Sequence, residues 1–188
     1  ARIIKYVRLP RMLAAMFAGA GLAVSGVLIQ TVLQNPLASP SVIGVNAGAG
    51  FFVAACMSFF PDRILLVPAF AFIGALLTIM SVYLAAKKAG LSSITLVLAG
   101  VAVSSLFTAG INTISTIYPD ILNGLKDFQN GGFSGVSFNT LAPALWFISI
   151  SVLISIIFAG ELEVLGLGDS TAASLGLNIK LYRLIFLI

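Results

Sequence analysis

The chain has 188 residues, of which 60% are hydrophobic and only 9% charged, and its mean hydropathy is +1.13. A soluble domain carries about 25% charged and about 45–50% apolar residues, so this composition excludes an ordinary water-facing exterior and places the chain in lipid. The net charge of +4 is spread along the sequence, and there is no histidine, no Walker-type loop and no second cysteine for Cys56. We therefore predict no catalytic site, no metal site and no binding to nucleic acid.

In chain order, the predicted elements follow four stretches that contain no Asp, Glu, Lys or Arg: 12–61, 64–86, 89–119 and 128–160. A helix needs roughly 20 apolar residues to cross the hydrocarbon core, so each stretch holds at least one span. The first stretch is long enough for two spans, which Pro36 and Pro40 divide. We predict spans near 12–33, 42–60, 64–86, 91–118 and 141–159, with a sixth starting at residue 181.

These apolar stretches favour helices over the strands of a membrane barrel. Barrel strands alternate apolar and polar residues over roughly 10 residues, and the apolar blocks of this chain are much longer. Lipid also requires each segment to satisfy its own backbone hydrogen bonds. The predicted fold is all-α, a polytopic transmembrane helical bundle. Because the sequence stops only a few residues into its last apolar run, we expect the chain to be an incomplete part of a longer subunit.

Small residues recur four positions apart within the predicted spans. This spacing lets helix backbones approach closely, which is how membrane helices gain van der Waals contact. The alternative is a glycine content that is merely typical of membrane helices. We expect close packing at the following pairs: Gly19/Ala23, Gly21/Ser25, Gly44/Gly48, Asn46/Gly50 and Gly100/Ser104.

The basic residues divide between the two sides of the predicted bundle. Three spans separate the N-terminal segment from Lys87 and Lys88, and two more spans return the 160–180 loop to the side of Lys87. Taken alone, the positive-inside rule puts the more basic N-terminal side in the cytoplasm. The basic residues of the N-terminal side are Arg2, Lys5, Arg8, Arg11, Arg63 and Lys126. Those of the other side are Lys87, Lys88, Lys180 and Arg183.

Five ordered motifs give the sequence a resemblance to a known family. The segments that carry it are Arg8-Leu9-Pro10-Arg11 with 19–26, Asn35-Pro36-Leu37-Ala38-Ser39-Pro40 with 44–50, Leu98-Ala99-Gly100-Val101-Ala102, Gly131-Gly132-Phe133-Ser134-Gly135, and Leu167-Gly168-Asp169 with Ala173-Ser174-Leu175-Gly176. The order and spacing of these motifs closely resemble the FecCD-type permease family, the membrane subunits of ABC importers for iron-siderophores, haem and vitamin B12. The resemblance covers essentially the whole chain.

The resemblance implies a ten-span subunit of the type II importer class in the bacterial cytoplasmic membrane, of which this chain matches the second span to the start of the seventh. It implies a second permease subunit, identical or paralogous, two ATPase subunits that use ATP, and an extracytoplasmic substrate-binding protein. It implies no cofactor held by this chain. By the same resemblance Arg8 and Arg11 face outward and dock carboxylates of the binding protein. The alternative is that both arginines anchor a helix end among lipid headgroups.

The residues of the 160–180 loop predict two short helices. Glu161–Leu165 forms one amphipathic turn that ends near Gly166, and 171–175 forms a second helix that Asp169 or Ser170 caps and Gly176 closes. By resemblance these are the cytoplasmic coupling helices that sit in a cleft of the ATPase. The alternative is an ordinary solvated loop. The predicted contact or shape-setting positions are Leu165, Asp169, Ala173, Leu175 and Gly176.

Ser92 and Ser93 hold the place of the cytoplasmic gate in the resemblance, and small hydroxyl residues suit a gate because they neither block the path nor hold cargo. The alternative for Ser92 is a helix N-cap. Polar residues within the spans line a cavity or form hydrogen bonds between helices; they are Gln30, Asn46, Ser104, Ser105 and Asn112. The polar pair Gln129-Asn130 departs from the aromatic-hydrophobic stretch of many relatives and leaves the cargo open.

Two functions are consistent with the sequence. The first is a non-enzymatic ABC importer permease that moves an iron chelate or a corrinoid by alternating access. The second is a secondary transporter or channel that works without nucleotide. The full spans carry no ionisable residue of the kind that proton- or sodium-coupled relays use, which favours the first function.

Overall fold

The regular structure in the computed structural model is helical throughout the residues that it describes, 3–133 and 135–188. Arg2 and Ser134 of the motifs and charges above lie outside these residues. The all-α prediction is confirmed. The helices are α1 Leu9–Leu33, α2 Val45–Phe59, α3 Val67–Lys88, α4 Ser93–Ile117, α5 Leu122–Asn130, α6 Phe138–Ile157, α7 Ala159–Gly166, α8 Asp169–Ser174 and α9 Ile179–Leu187.

Four of the described helices are long and apolar enough to cross a bilayer. They are the continuous helical run Tyr6–Leu33, which contains α1, together with α3, α4 and α6. Many of their large side chains point away from the bundle, and these are apolar, as with Leu22, Leu98 and Trp146. Apolar outward faces are what lipid or neighbouring helices accept.

The second predicted span is shorter in the structure than in the sequence prediction, because α2 begins at Val45 and not at residue 42. Its 15 residues reach about 22 Å, less than the roughly 30 Å of a hydrocarbon core. Gly44 has a φ of +87°, a left-handed conformation that ends any helix running through it. Turns precede it, in which the Val42 N–H donates to the Ser39 carbonyl at 3.0 Å.

The non-helical connection at 35–44 enters the bundle from the end of α1. Its last residues pack on α4, where a side chain at Gly100 would lie 2.7 Å from the Val42 carbonyl oxygen. Gly44 faces Ser104, which lies about 16 Å along α4 from the helix start. Ile43 is buried between these elements. The last residues of this connection are thus sheltered by protein, as backbone without regular structure has to be at membrane depth.

Small residues at Gly44, Gly48 and Gly100 make the close approaches that their spacing predicts, and Gly74 of α3, which was not among the predicted pairs, makes another. A Cβ at Gly48 would overlap the Thr78 hydroxyl, and a Cβ at Gly74 would lie 2.8 Å from the Gly48 carbonyl oxygen. α2 packs chiefly on α3 and α4, while α1 packs on α6. On α1, by contrast, Gly19 and Gly26 have nothing within 4 Å in the described chain. The expected close packing is therefore made by α2 to α4 and not by these two positions.

Two apolar clusters lie at opposite ends of the bundle. The larger cluster joins the end of α1, the end of α3 and the start of α4 to α7 and α9, with Val32, Val82, Leu96 and Leu165 fully buried in it. The smaller cluster joins α2, α4 and α5 around Val53 and Ala54. α5 was not predicted from the sequence, since nine residues are too few for a span, yet its amphipathic face buries Leu125.

A side chain at Gly48 tests the contact between α2 and α3. Gly48→Ala forces its methyl group into Thr78, and we expect overpacking to lower the free energy of unfolding by about 1–3 kcal/mol. Gly26→Ala is the matched control on α1, where the new methyl group meets open space and the stability is unchanged or slightly raised. Thermal unfolding of both variants in detergent measures the difference. Equal unfolding temperatures would contradict this packing.

Candidate functional site

The end of the bundle that holds the larger apolar cluster gathers three connections of the chain. They are the end of α1 at Gln34, the turn between α3 and α4, and the 160–180 loop. The Tyr83 hydroxyl of α3 donates to the Lys180 carbonyl oxygen at 3.2 Å. The loop therefore lies at the same end as Lys87 and Lys88, as the count of spans predicts.

The 160–180 loop contains two short helices, α7 and α8, with bounds slightly different from those predicted. α8 ends in a Schellman motif, in which the Gly176 N–H donates to the Ala173 carbonyl and the Leu177 N–H to the Ala172 carbonyl, both at 3.0 Å. Gly176 has a φ of +84°, so glycine closes this helix as predicted. The predicted cap is wrong, because Gly168 holds the N-cap position and no side chain caps α8.

The five residues predicted for coupling differ in exposure. Leu165 is fully buried in the larger cluster, so it is not a contact position for a partner. Its place fits the other part of the prediction, a position that sets the shape of the loop. Ala173, Leu175 and Gly176 are exposed on or just after α8. The Asp169 side chain is 45% exposed, and its carboxylate points back into the chain.

The carboxylate of Asp169 accepts two hydrogen bonds that explain why it does not cap α8. Arg183 Nη2 donates to Asp169 Oδ1 at 2.9 Å, and Gln34 Nε2 donates to the same oxygen at 3.2 Å. Gln34 is the left-handed residue at the end of α1, with a φ of +49°. Asp169 thus joins the end of α1 to α9.

The Arg183 side chain is only 2% exposed and contacts two other segments of the chain, the 160–180 loop and the turn between α3 and α4. Besides Asp169, Nη1 donates to the Leu91 carbonyl oxygen and Nη2 lies 3.5 Å from Ser93 Oγ. Nε has no partner among the described residues. We call Gln34, Leu91, Ser93, Asp169 and Arg183 the Arg183 cluster.

Sequence reasoning counted Arg183 as a loop charge and missed this cluster. A signal was present, because Arg183, Phe186 and Leu187 stand at i, i+3 and i+4, and all three are buried on one face of α9. A lone charged residue on the apolar face of a helix requires a partner, since a buried charge is costly unless it is paired.

The Ser92 prediction left two alternatives, and the structure confirms the N-cap. Ser92 Oγ accepts from the Thr95 N–H at 3.2 Å, and Thr95 Oγ1 accepts from the Ser92 N–H at 2.8 Å, which is a capping box. Ser92 and Ser93 are both half-buried. The role of these two serines as a gate stays a prediction.

Arg8 and Arg11 lie at the opposite end of the bundle, at the start of α1. Both are exposed, and their i, i+3 spacing puts them side by side on one helix face. Neither makes an ion pair within the described residues. Their position is compatible with docking and with anchoring alike.

A cavity of about 470 Å³ opens between α2, α4 and α5. Three uncharged amide side chains line it, those of Asn46, Asn112 and Gln129. For Asn46 and Asn112 the cavity alternative is therefore the one that the structure favours. Ser105 instead donates to the Val101 carbonyl of its own helix at 2.9 Å.

A sequence profile of the FecCD transport family matches residues 1–188. The chain belongs to the FecCD transport family. Common ancestry within this family explains the ordered motifs of the sequence, and the resemblance drawn from those motifs is confirmed. Four apolar helices and this membership make the chain a multi-pass membrane protein.

Three proteins of known name or structure are similar to this chain. The Fe(3+)-citrate import system permease protein YfmD of Bacillus subtilis (strain 168) is 37% identical over 97% of this chain and 55% of its own length. The ferric enterobactin transport system permease protein FepD of Escherichia coli (strain K12) is 35% identical over 99% of this chain and 57% of its own. A metal-chelate type ABC transporter solved in an inward-facing conformation matches with a TM-score of 0.89 and 28% identity, over 99% of this chain and 60% of that one. The chain spans about half the length of the curated relatives it matches.

Two leucines of the 160–180 loop, one buried and one exposed, test whether the loop packs on the bundle. Leu165→Ala removes a fully buried side chain, and we expect it to lower the free energy of unfolding by about 2–5 kcal/mol. Leu175→Ala changes a side chain that is 62% exposed, and we expect a change within about 0.5 kcal/mol. Thermal unfolding in detergent gives both values. A Leu165→Ala variant as stable as Leu175→Ala would show that the loop does not pack on the bundle.

Proposed function

We propose that this chain forms part of the permease subunit of a bacterial ABC importer that moves an iron chelate across the cytoplasmic membrane by ATP-driven alternating access. Haem or a corrinoid is the alternative cargo. The observation that carries the proposal is the family match over the whole chain, in which the relatives are permeases of iron-chelate import systems.

The structure supplies the parts that such a permease needs. Its long helices are apolar on their outward faces, and α2 to α4 pack tightly enough to move as one body. In this proposal ATP is hydrolysed by separate ATPase subunits, as membership of a family of ABC importer permeases implies, and this chain contributes the membrane path.

The end with the 160–180 loop is the cytoplasmic end in this proposal. α7 and α8 form a compact surface there, since Leu165 fixes α7 to the apolar cluster and the Schellman motif closes α8. The exposed positions Ala173, Leu175 and Gly176 face the ATPase. Asp169 does not face the ATPase in this proposal; its carboxylate binds Arg183 within the chain.

The opposite end receives the binding protein. Arg8 and Arg11 stand there as an exposed basic pair, which complements carboxylates on a partner. A second permease copy or paralogue completes the path. Arg8 and Arg11 are then docking charges and not signals that retain this end in the cytoplasm.

The cavity between α2, α4 and α5 supports a polar cargo. The amides of Asn46, Asn112 and Gln129 donate and accept hydrogen bonds without adding charge. Such a lining suits the oxygen-rich surface of an iron chelate, and its lack of fixed charge lets the cargo leave.

Reversing the charge of the basic pair tests the proposal. The full-length permease is reconstituted in lipid with the ATPase encoded beside it, and ATP hydrolysis is measured with and without the binding protein. We expect the binding protein to stimulate hydrolysis by wild type and Arg8→Glu/Arg11→Glu to lose that stimulation, because like charges then face each other across the interface. Arg63→Glu/Lys126→Glu, two exposed basic residues of the same predicted side, is the matched control and keeps the stimulation.

If wild type shows no stimulated hydrolysis, the importer proposal fails and a nucleotide-independent transporter replaces it. If both double variants lose the stimulation equally, the docking role of Arg8 and Arg11 is wrong and only the general basic charge of that side matters.

The gate role of Ser92 is separable from its capping role. Asn caps helices about as well as Ser, so Ser92→Asn keeps the α4 cap while it adds bulk at the proposed gate. We expect uptake of radiolabelled ferric citrate into proteoliposomes to fall several-fold, with unfolding in detergent unchanged. Ser137→Asn is the control, since Ser137 and Thr140 form the same capping box at the start of α6. Equal uptake by the two variants would show that Ser92 acts only as the N-cap of α4.

A further inference from the structure

The 160–180 loop and the turn between α3 and α4 are far apart in sequence, yet one side chain bonds both. Arg183 Nη2 donates to Asp169 Oδ1 at 2.9 Å, and Nη1 donates to the Leu91 carbonyl oxygen. Ser93 Oγ lies 3.5 Å from Nη2. The guanidinium of α9 therefore stands between the first residue of α8 and the residues on either side of Ser92.

Burial makes this bridge hard to break on one side only. The Arg183 side chain is 2% exposed, so water cannot replace a partner that moves away. A buried charge that loses its carboxylate partner is strongly unfavourable. If α8 shifts, the guanidinium has to follow Asp169, and the carbonyl of Leu91 has to follow the guanidinium.

Arg183 supplies a polar connection between α8 and the α3–α4 turn. α8 packs chiefly on α7 and α9. Its polar connection to the turn runs through Arg183, and Asp169 is held from a second direction by Gln34 at the end of α1. Leu91 and Leu165 are buried in the same apolar cluster, so the bridge is backed by packing.

We propose that Arg183 is a positioning residue that transmits movement of the 160–180 loop to the proposed gate at Ser92 and Ser93. This inference rests on the proposed function and names the link within it. The fork of the guanidinium is essential, because two of its nitrogens hold two different segments at once. A lysine at this position has a single nitrogen and cannot hold both in the same way.

The test uses the full-length permease with its ATPase and binding protein in proteoliposomes. Uptake of radiolabelled ferric citrate is divided by the ATP hydrolysed in the same vesicles. We expect this ratio to fall about tenfold in Arg183→Lys and in Asp169→Asn, a size typical of coupling between sites. The double variant should fall no further than either single one, since both break the same bridge. Lys180→Gln, an exposed position of α9, is the matched control and keeps the wild-type ratio.

A second measurement does not depend on the cargo. Spin labels at Lys88 and Thr171, both exposed, report the distance between the turn and α8 in a background with Cys56→Ala. With the bridge intact, we expect the same distance without nucleotide and in the vanadate-trapped state. In Arg183→Lys or Asp169→Asn the distance changes or broadens on trapping.

The outcomes separate the inference from the function on which it rests. If wild type takes up no ferric citrate, ferric enterobactin or haem and its ATPase does not respond to the binding protein, the proposed function fails and the inference with it. If wild type works and both variants keep its uptake per ATP and its fixed distance, Arg183 is a structural ion pair only and the inference is overturned. A lower unfolding temperature alone does not support it.

Discussion

The contact between the backbones of α2 and α3 at Gly48 and Gly74 determines where the short second helix lies. With only 15 residues, α2 cannot be held by its ends at the two membrane surfaces, so sideways packing has to position it. That packing places Asn46 on the cavity side and brings the preceding connection against Gly100. The cavity and the connection before α2 are therefore positioned by one close approach of main chains, in which any side chain larger than hydrogen would collide.

Charged side chains at the two ends of the bundle differ in their exposure to solvent. At the start of α1 the arginines are exposed, so water solvates their charges whether or not a partner is bound. At the other end Arg183 is enclosed by apolar residues and bound to a carboxylate and a carbonyl, so its position is tied to theirs. An exposed pair of arginines can gain and lose a partner, whereas Arg183 can leave Asp169 only by becoming a buried charge without its carboxylate.

Sequence reasoning found the long helices because lipid demands long apolar runs, and these are visible in any chain that spans a membrane. It placed the two short helices of the loop because glycines such as Gly176 mark their ends. It missed α5, whose nine residues are too few to stand out, and it gave Asp169 to a cap because the partner, Arg183, lies 14 residues away. For Leu165 it left open a partner contact or a shape-setting position, since a leucine in a loop does not reveal whether the loop folds back; the structure buries it. Pairings across the chain were the part that local patterns could not supply.

The connection 35–44 reaches the middle of α4 without forming a helix, and its turns satisfy backbone groups that hydrocarbon would leave unpaired. Such a segment has no stable place in lipid while it emerges from the ribosome. The main chain of its last residues, 42–44, packs against Ser93–Ile117. Biogenesis of this part is therefore cooperative and not span by span, so a nascent chain stalled before α4 would leave α2 and its connection unassembled and open to membrane quality-control proteases.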